Sequence, residues 1–272
     1  MVGITRQLPE ADEVFLDHVG WFVADLDRAT LALERLGFAV AGETVHMNRG
    51  PDGAQTPTGT LNRLIVLKTG YLEFLASRGD TPLAVQHRRQ LERYEGLHLL
   101  AFNSADVRAE GPRLAAEGFR PLEPAAMNRE VMTERGPQEA RFHVLRVPPG
   151  VMAEGRMQWC GHLTPELVWR EGHLSHPNGA EALTGVLWAV ADVSEALERY
   201  SRFLRKPSRA LADGLGRIEL ERGALLFATP KAAEAFLPDL VAPALPFGAA
   251  VSVRVADLAE TGRRLRSNGV RF

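Results

Sequence analysis

Apolar residues along the chain gather in short strand-like runs, and several of these runs share one ending. "HVGWFVADL" (His18 to Leu26), "GVLWAVADV" (Gly185 to Val193) and "AVSVRVADL" (Ala250 to Leu258) each close on Ala-Asp and lead into a helical pattern. A looser copy, "HLLAFNSADV", runs from His98 to Val107. Asp25, Asp106 and Asp257 are each followed 12 residues later by a glycine, at Gly37, Gly118 and Gly269. An aspartate cap, about three turns of chain and a glycine stop predict a helix in each of these copies. The copy beginning at Gly185 shows "FLRKP" instead of the glycine, so its helix is expected to end at Pro207. In the first copy, "ATLALERLGF" predicts Leu31, Leu33, Leu36 and Phe38 on a buried stripe, with Glu34 and Arg35 facing water.

Turn signals divide the chain after each helix into further strands. In the first copy these are "GFAVAGETVHM", "TLNRLIVLK" and "GYLEFLA". The intervening "NRGPDGAQTPTG" is expected to be a long loop, because Gly, Pro, Asn and Asp crowd it. The unit reads strand, helix, strand, strand, strand. Its last strand also recurs: "GYLEFLAS" (Gly70 to Ser77) matches "GALLFATP" (Gly223 to Pro230) position for position, and "GRMQW" (Gly155 to Trp159) more loosely. Units begin near residues 14, 96, 183 and 248, the last stopping after its helix. The fold class this predicts is α+β, with tandem βαβββ modules paired into cupped mixed sheets and helices on the outside. Residues 1–170 are expected to form the first module pair, and residues 171–272 the third module with a partial fourth. The second cup is then open on one side, and a second copy of the chain is expected to cover it in a homodimer. The run "AVQHRRQLERYEG" predicts a solvated helix between the first two units.

Composition narrows the functions such a fold can serve. The chain has 272 residues, 45% of them hydrophobic, which allows a substantial core. A net charge of −2 leaves no electrostatic footprint for nucleic acid or an anionic membrane. The single cysteine, Cys160, excludes an internal disulfide and fits a reducing cytoplasm. With no signal-peptide core and no apolar run of membrane-spanning length, a cytoplasmic location is expected. P-loop, strand-linked G-x-G-x-x-G, H-E-x-x-H and C-x-x-C motifs are missing, which disfavours nucleotide, zincin and redox-thiol chemistry.

The repeated unit, together with "GTLNRLIVL…GYLEFLA" and "HLTPELVW…HPNGA", resembles the vicinal oxygen chelate superfamily, in particular its glyoxalase-like-domain branch. That superfamily includes glyoxalase I, extradiol dioxygenases and bleomycin-resistance proteins, and the resemblance covers nearly the whole chain. It implies that two modules pair around a cup. It also implies a divalent metal in the cup, held by side chains from the first and last strands of the modules. His18 and Glu73 fall where that pattern places its first- and fourth-strand ligands, with His98 and Gln158 the candidates from the second module.

Strand alternation bears on this directly. His18, Gly20 and Phe22 share one face of their strand, and Tyr71, Glu73 and Leu75 share one face of theirs. A buried carboxylate is costly unless paired, neutralised or metal-bound. The third unit has Gly185 in the place of His18 and Leu226 in the place of Glu73, so both polar groups vanish together. The second unit is less regular. Aligning Asp106 with Asp25 puts Leu99 rather than His98 opposite His18, so His98 reaches the cup only through an extra residue or a bulge. Gln158 is a neutral oxygen donor, and His162 shares its face if the strand runs on. Trp169 and the turn that begins at His176 are read as a wall or lid, which makes His162, Trp169 and His176 the substrate-binding candidates. For any one strand histidine the competing reading is a core position. His46, His87, His143 and His173 carry no pattern, and Cys160 is read as packing.

On this resemblance the expected function is a metal-dependent glyoxalase- or dioxygenase-like enzyme, a lyase or isomerase. Its small oxygen-rich substrate would be chelated through adjacent oxygens. Imidazole and carboxylate ligands suit Fe, Mn, Ni, Co or Zn. Glu73 and Gln158 are the catalytic candidates, since a ligand that releases the metal can also move protons, as glutamate does in glyoxalase I. The alternative is a metal-free cup that binds or sequesters a small molecule, as bleomycin-resistance relatives do, lined by Trp21, Phe74, Trp159 and Trp169.

Overall fold

A computed structural model describes residues 6–50 and 52–272 of the chain. The first unit is β1 (Phe15–Phe22), α1 (Leu26–Arg35), β2 (Thr44–Arg49), β3 (Gln55–Val66) and β4 (Tyr71–Ser77). After α2 (Pro82–Leu91) the second repeats this order as β5 (Gly96–Asn103), α3 (Glu110–Ala116), β6 (Ala125–Thr133), β7 (Gly136–Arg146) and β8 (Arg156–His162). The third is β9 (Ala180–Ala189), α4 (Val193–Leu204), β10 (Ser208–Ala212), β11 (Leu215–Glu219) and β12 (Ala224–Ala228). A short helix, α5 (Pro230–Ala233), leads on to β13 (Phe247–Val255) and α6 (Leu258–Ser267).

The aspartate-capped frames form for local reasons. Asp25, Asp192 and Asp257 accept hydrogen bonds from backbone N–H groups in the first turns of α1, α4 and α6. Gly37, Gly118 and Gly269 all adopt positive φ, the left-handed stop that glycine tolerates best. Asp106 holds only a turn, and the shorter α3 begins after Ala109 with no side-chain cap. Three further local expectations need correction. First, α4 ends at Leu204 rather than at Pro207, because Arg205 takes the left-handed conformation and closes the helix before the proline. Second, Leu31 is exposed, because it sits two positions from buried Leu33, about 200° around the helix. Third, the long loop is shorter than its composition implies. β3 starts at Gln55 and pairs with β2 as a hairpin, an exposed stretch where backbone pairing decides rather than burial.

Strand order explains how one cup forms and the other does not. Strands run β1-β4-β3-β2-β6-β7-β8-β5, and β5 pairs back onto β1, so the first two units close into an eight-stranded barrel. Closure leaves that part of the sheet without an edge. β13 then joins at Gly248 opposite Leu97 and carries the sheet through β9, β12 and β11 to β10. The result is a mixed α+β fold whose sheet curves into a barrel-like cup.

Two cores follow from the alternation of side chains. Outside the barrel, Val19, Leu72, Leu100, Met157 and Trp159 join Trp188, Phe203 and Phe227 of the third unit in one continuous apolar cluster. Inside it, Phe22, Leu75, Leu99, Ala101, Met127, Val144 and Cys160 form an apolar lining. The third unit keeps the register of the first: Gly185 pairs with Ala224 and Leu187 with Leu226, as His18 pairs with Tyr71 and Gly20 with Glu73. Its concave side is apolar, with Leu187 and Ala228 packed against Leu226, Ala250, Leu237 and Leu240. Leu237 and Leu240 come from the chain just after α5. Among the described residues no helix is long and apolar enough to cross a membrane.

Candidate functional site

The barrel interior holds a narrow cavity of about 50 Å³ that opens to solvent. Its lining includes His18, His46, Asn62, Tyr71, Glu73 and Gln158, and three arginines, Arg129, Arg146 and Arg156. The backbone register puts these groups together. His18 on β1 lies opposite Tyr71 of β4 on one side and Ala101 of β5 on the other, and Ala101 in turn faces Gln158 of β8. Glu73 is two residues along β4 from Tyr71, on the same inward face.

His18 Nε2 lies 3.7 Å from Glu73 Oε2 and 3.5 Å from the Gln158 amide nitrogen. Each of these groups is oriented by a neighbour. His18 Nδ1 meets Asp17 Oδ2 at 2.7 Å, which keeps the proton on Nδ1 and leaves Nε2 as an acceptor facing the cavity. The Asn62 amide donates to Glu73 Oε1 at 2.5 Å, and His46 Nε2 lies 3.4 Å from the same oxygen, so Oε2 is left toward His18. Tyr71 stacks on the His18 ring at 4.3 Å and blocks its rotation. Burial alone would raise the Glu73 pKa. The groups around it, His46, His18 and Asn62, outweigh burial and bring it down to about 2. Glu73 is therefore a carboxylate at neutral pH, a good ligand and a weak base.

Asp17 and His46 join the candidate site although sequence reasoning missed them, as it did Asn62 and the lining arginines. Simple alternation sends Asp17 to the opposite face from His18. The register instead jumps from Leu16 opposite Phe102 to His18 opposite Ala101, so Asp17 is the extra residue of a bulge. That bulge lets two consecutive side chains serve the same site. Asp17 is fully buried, and both of its oxygens also lie 3.0 Å from His162 Nε2. The adjacent pair Asp17–His18 was the available signal. His46 had none, because its role depends on β2 folding beside β3 and β4.

The structure places the remaining candidates away from the cavity. His98 does not line the cavity: its Nε2 pairs with the Tyr94 carbonyl at 2.8 Å, and its ring stacks on Tyr94 with Phe22 5.4 Å away. β5 is bulged at this point, with His98 the extra residue between Leu97 opposite Trp21 and Leu99 opposite Gly20, and it is Leu99 that lines the cavity. His162 lies one layer behind His18, bonded to Asp17 and packed among Tyr71, Phe142 and Trp169. Trp169 backs Tyr71 in an apolar cluster with Leu64, Val66 and Val168 instead of covering the cup. His176 is a staple: Nδ1 accepts from the Ala39 N–H and Nε2 donates to the Val66 carbonyl. The next residues of the turn bond to the end of α1 through Asn178. The expected aromatic lining is absent for the reason of alternation: Trp21 stacks with Phe74 in the outer core, and Trp159 is buried there too.

His98 and its neighbour His87 support a prediction about stability. Both are buried on α2 and β5 with one ring nitrogen bonded to a backbone carbonyl and Nδ1 without a partner. Burial, only partly offset by those hydrogen bonds, lowers each pKa to about 4. The unfolded chain takes up these protons near pH 6.5, before the folded one does. Stability is thus fully present above about pH 6.5 and falls as pH drops toward 4, by at most about 1.4 kcal/mol per pH unit for each histidine. Urea midpoints measured across this window should fall. They should fall less in a His87→Gln variant, and an unchanged pH slope there would refute the assignment.

A second group of ligand atoms, one each from Asp17, Cys160 and His162, lies within 4.8 Å and could hold an ion. One feature makes it a support for His18 instead: the Asp17 oxygens are already engaged by two imidazoles. Burial, with Asp17 and Glu73 nearby, pushes the metal-free Cys160 thiol well above its ordinary range.

Residues 16–204 match the model of a family described as a glyoxalase-like domain. No curated protein sequence matches the chain. Among solved structures, a hypothetical protein from Staphylococcus aureus is similar at TM-score 0.63 and 12% identity, over 80% of this chain and 87% of that one. A mutant of 4-hydroxymandelate synthase from Streptomyces coelicolor matches at TM-score 0.52 and 18% identity, over 96% and 76% of the two chains. A xylose isomerase-like TIM barrel/4-hydroxyphenylpyruvate dioxygenase fusion protein matches at TM-score 0.57 and 14% identity, over 99% of this chain and 41% of that one. At these identities the likeness concerns the fold.

Proposed function

Since the chain belongs to the glyoxalase-like domain family, we propose that its first barrel is a metal-dependent active site for a small oxygen-rich substrate. The observation that carries this reading is the convergence of acceptors. His18 Nε2 and Glu73 Oε2 face each other 3.7 Å apart, each turned there by a partner on its other side. Gln158 Oε1 is buried without a hydrogen-bond partner, and rotating that amide brings the oxygen to the place its nitrogen occupies beside His18. Facing acceptors call for a cation. Ligand bonds of about 2.0–2.2 Å set two donors of one metal roughly 3–4 Å apart, so the pair fits.

His18, Glu73 and Gln158 would hold the ion, and Asp17 would fix the imidazole as an outer-shell carboxylate does. When bound, a divalent ion supplies Lewis-acid polarisation of two adjacent substrate oxygens, the chemistry of a lyase, isomerase or dioxygenase. The protein's own residues do the rest. Asn62 keeps Glu73 Oε2 aimed at the site, Tyr71 walls it, and the apolar ring of Leu75, Leu99 and Val144 restricts water. Glu73 is the group placed to exchange a proton with substrate, and its low pKa favours the ligand role over the base role.

Protein purified without chelator should carry near-stoichiometric divalent metal, and His18→Ala should lose it while keeping its circular dichroism spectrum. If the parent carries none and binds no added Mn, Co, Ni, Zn or Fe at micromolar concentration, the metal reading is wrong. One observation then favours the second reading, a metal-free binding cup: Leu99 stands where a fourth ligand was expected. The proposed homodimer rests on β10, an exposed strand that ends the sheet. Light scattering that shows only monomer at high protein concentration would remove it.

A further inference from the structure

The barrel cavity contains more positive charge than its acid can balance. Arg129, Arg146 and Arg156 all line it together with Glu73, the one carboxylate among its lining residues. Asp17 lies one layer deeper and is engaged by His18 and His162. Arg129 and Arg156 are each only 5% exposed. None of the three forms a salt bridge among the described residues. The Nε–H groups of all three are buried without a partner. Arg156 reaches Gln86 Oε1, and Arg146 reaches only the thioether of Met127. Arg129 has no hydrogen-bond acceptor among the described residues and lies over the Phe142 ring.

A buried guanidinium with no anion is costly, and such groups are retained where a ligand completes them. We infer that the substrate of this site is a small organic dianion, bearing a carboxylate or phosphate oxyanion that the forks of Arg129, Arg146 and Arg156 receive. This rests on the reading of the barrel as the substrate site and names the class of substrate. Planar guanidinium forks match either oxyanion through paired N–H donors, which a lysine cluster would not do. Glu73 supplies one negative charge against three, so in the metal-free protein a dianion brings the charge of the cavity to neutrality. The three arginines would also repel a bare metal ion, so anion and metal should strengthen each other's binding by the same factor.

Calorimetric titration of metal-free protein with malonate, inorganic phosphate and neutral malonamide tests this without relying on activity. Malonate or phosphate should bind and malonamide should not, and the tighter of the two anions identifies the oxyanion. Arg129→Met should weaken the preferred anion on the order of tenfold or more, with Arg129→Lys falling between it and the parent. Should Arg129→Met fail to fold, Arg156→Lys provides the same comparison. The inference is overturned if neither anion binds, if malonamide binds as well as malonate, or if the arginine variants bind like the parent. A separate titration of the same protein with Mn, Co, Ni, Zn or Fe reads the metal assignment, because anion binding by protein that takes up no metal leaves this inference standing and removes only that one.

Discussion

Asp17→Ala should destabilise the protein by about 3–5 kcal/mol, the cost of removing one partner from a buried charged network. The carboxylate is fully buried and makes close contacts with two imidazoles, His18 Nδ1 at 2.7 Å and His162 Nε2 at 3.0 Å. The Arg222 guanidinium lies 4.0 Å away. Alanine leaves both imidazoles without their acceptor in a place water does not reach, and takes the nearest carboxylate from Arg222. Asp17→Asn keeps the shape and one acceptor oxygen, so it should cost less stability while still weakening metal binding about 10–100-fold, as loss of an outer-shell carboxylate does. Urea unfolding and metal titration of the two variants separate these effects. If Asp17→Ala lies within 1 kcal/mol of the parent, as a surface substitution typically would, the buried network does not hold the site together. If Asp17→Asn keeps full metal affinity, the orienting role is wrong.

Gly155→Ala should be as damaging, for a purely geometric reason. Gly155 precedes β8 with φ at 154°, and a Cβ built there would meet the His98 carbonyl oxygen at 2.2 Å and its carbon at 2.9 Å. Both are backbone atoms of β5, so the clash cannot be relieved by a side-chain rotation. The strand pair that positions Arg156 and Gln158 would have to separate, at a cost on the order of 4 kcal/mol. Gly118→Ala is the control: it shares positive φ, but nothing lies within 4 Å of its Cβ, so its loss should be only the backbone strain. Equal stability of the two variants would show that the close approach of β5 and β8 is not obligatory. The same approach accounts for the recurrence of glycine before each last strand. Gly70 and Gly223 also adopt positive φ, with Leu183 and Leu16 respectively within 3.0 Å of where a Cβ would stand.

Much of the molecule is local and therefore legible in the chain itself. Asp25 to Gly37 specifies a helix through groups within a few residues of one another, an N-cap oxygen at one end and a left-handed glycine at the other. Strand alternation is equally local: it grouped His18 and Glu73 with their same-face neighbours, and the family resemblance named those faces as the inward ones before any pairing was known. Their joint replacement by Gly185 and Leu226 marked the third unit as lacking the site, and the identical register of β9 with β12 places those residues at the corresponding positions. What alternation could not convey was its own exception. The bulge that turns Asp17 to the side of His18 arises from the pairing of β1 with β5, whose residues lie more than eighty positions later. His98 and Leu99 differ by a single step of register, and only the β5 pairing decided which of them faces the cavity. His46 and the three arginines belong to β2, β6, β7 and β8, and no spacing in the sequence links them. They meet because the two modules close into one barrel. Sequence alone determined the repeated unit and two of the inward-facing groups; the charge, the support and the limits of the cavity were decided by barrel closure, since they depend on distances across strands rather than along one.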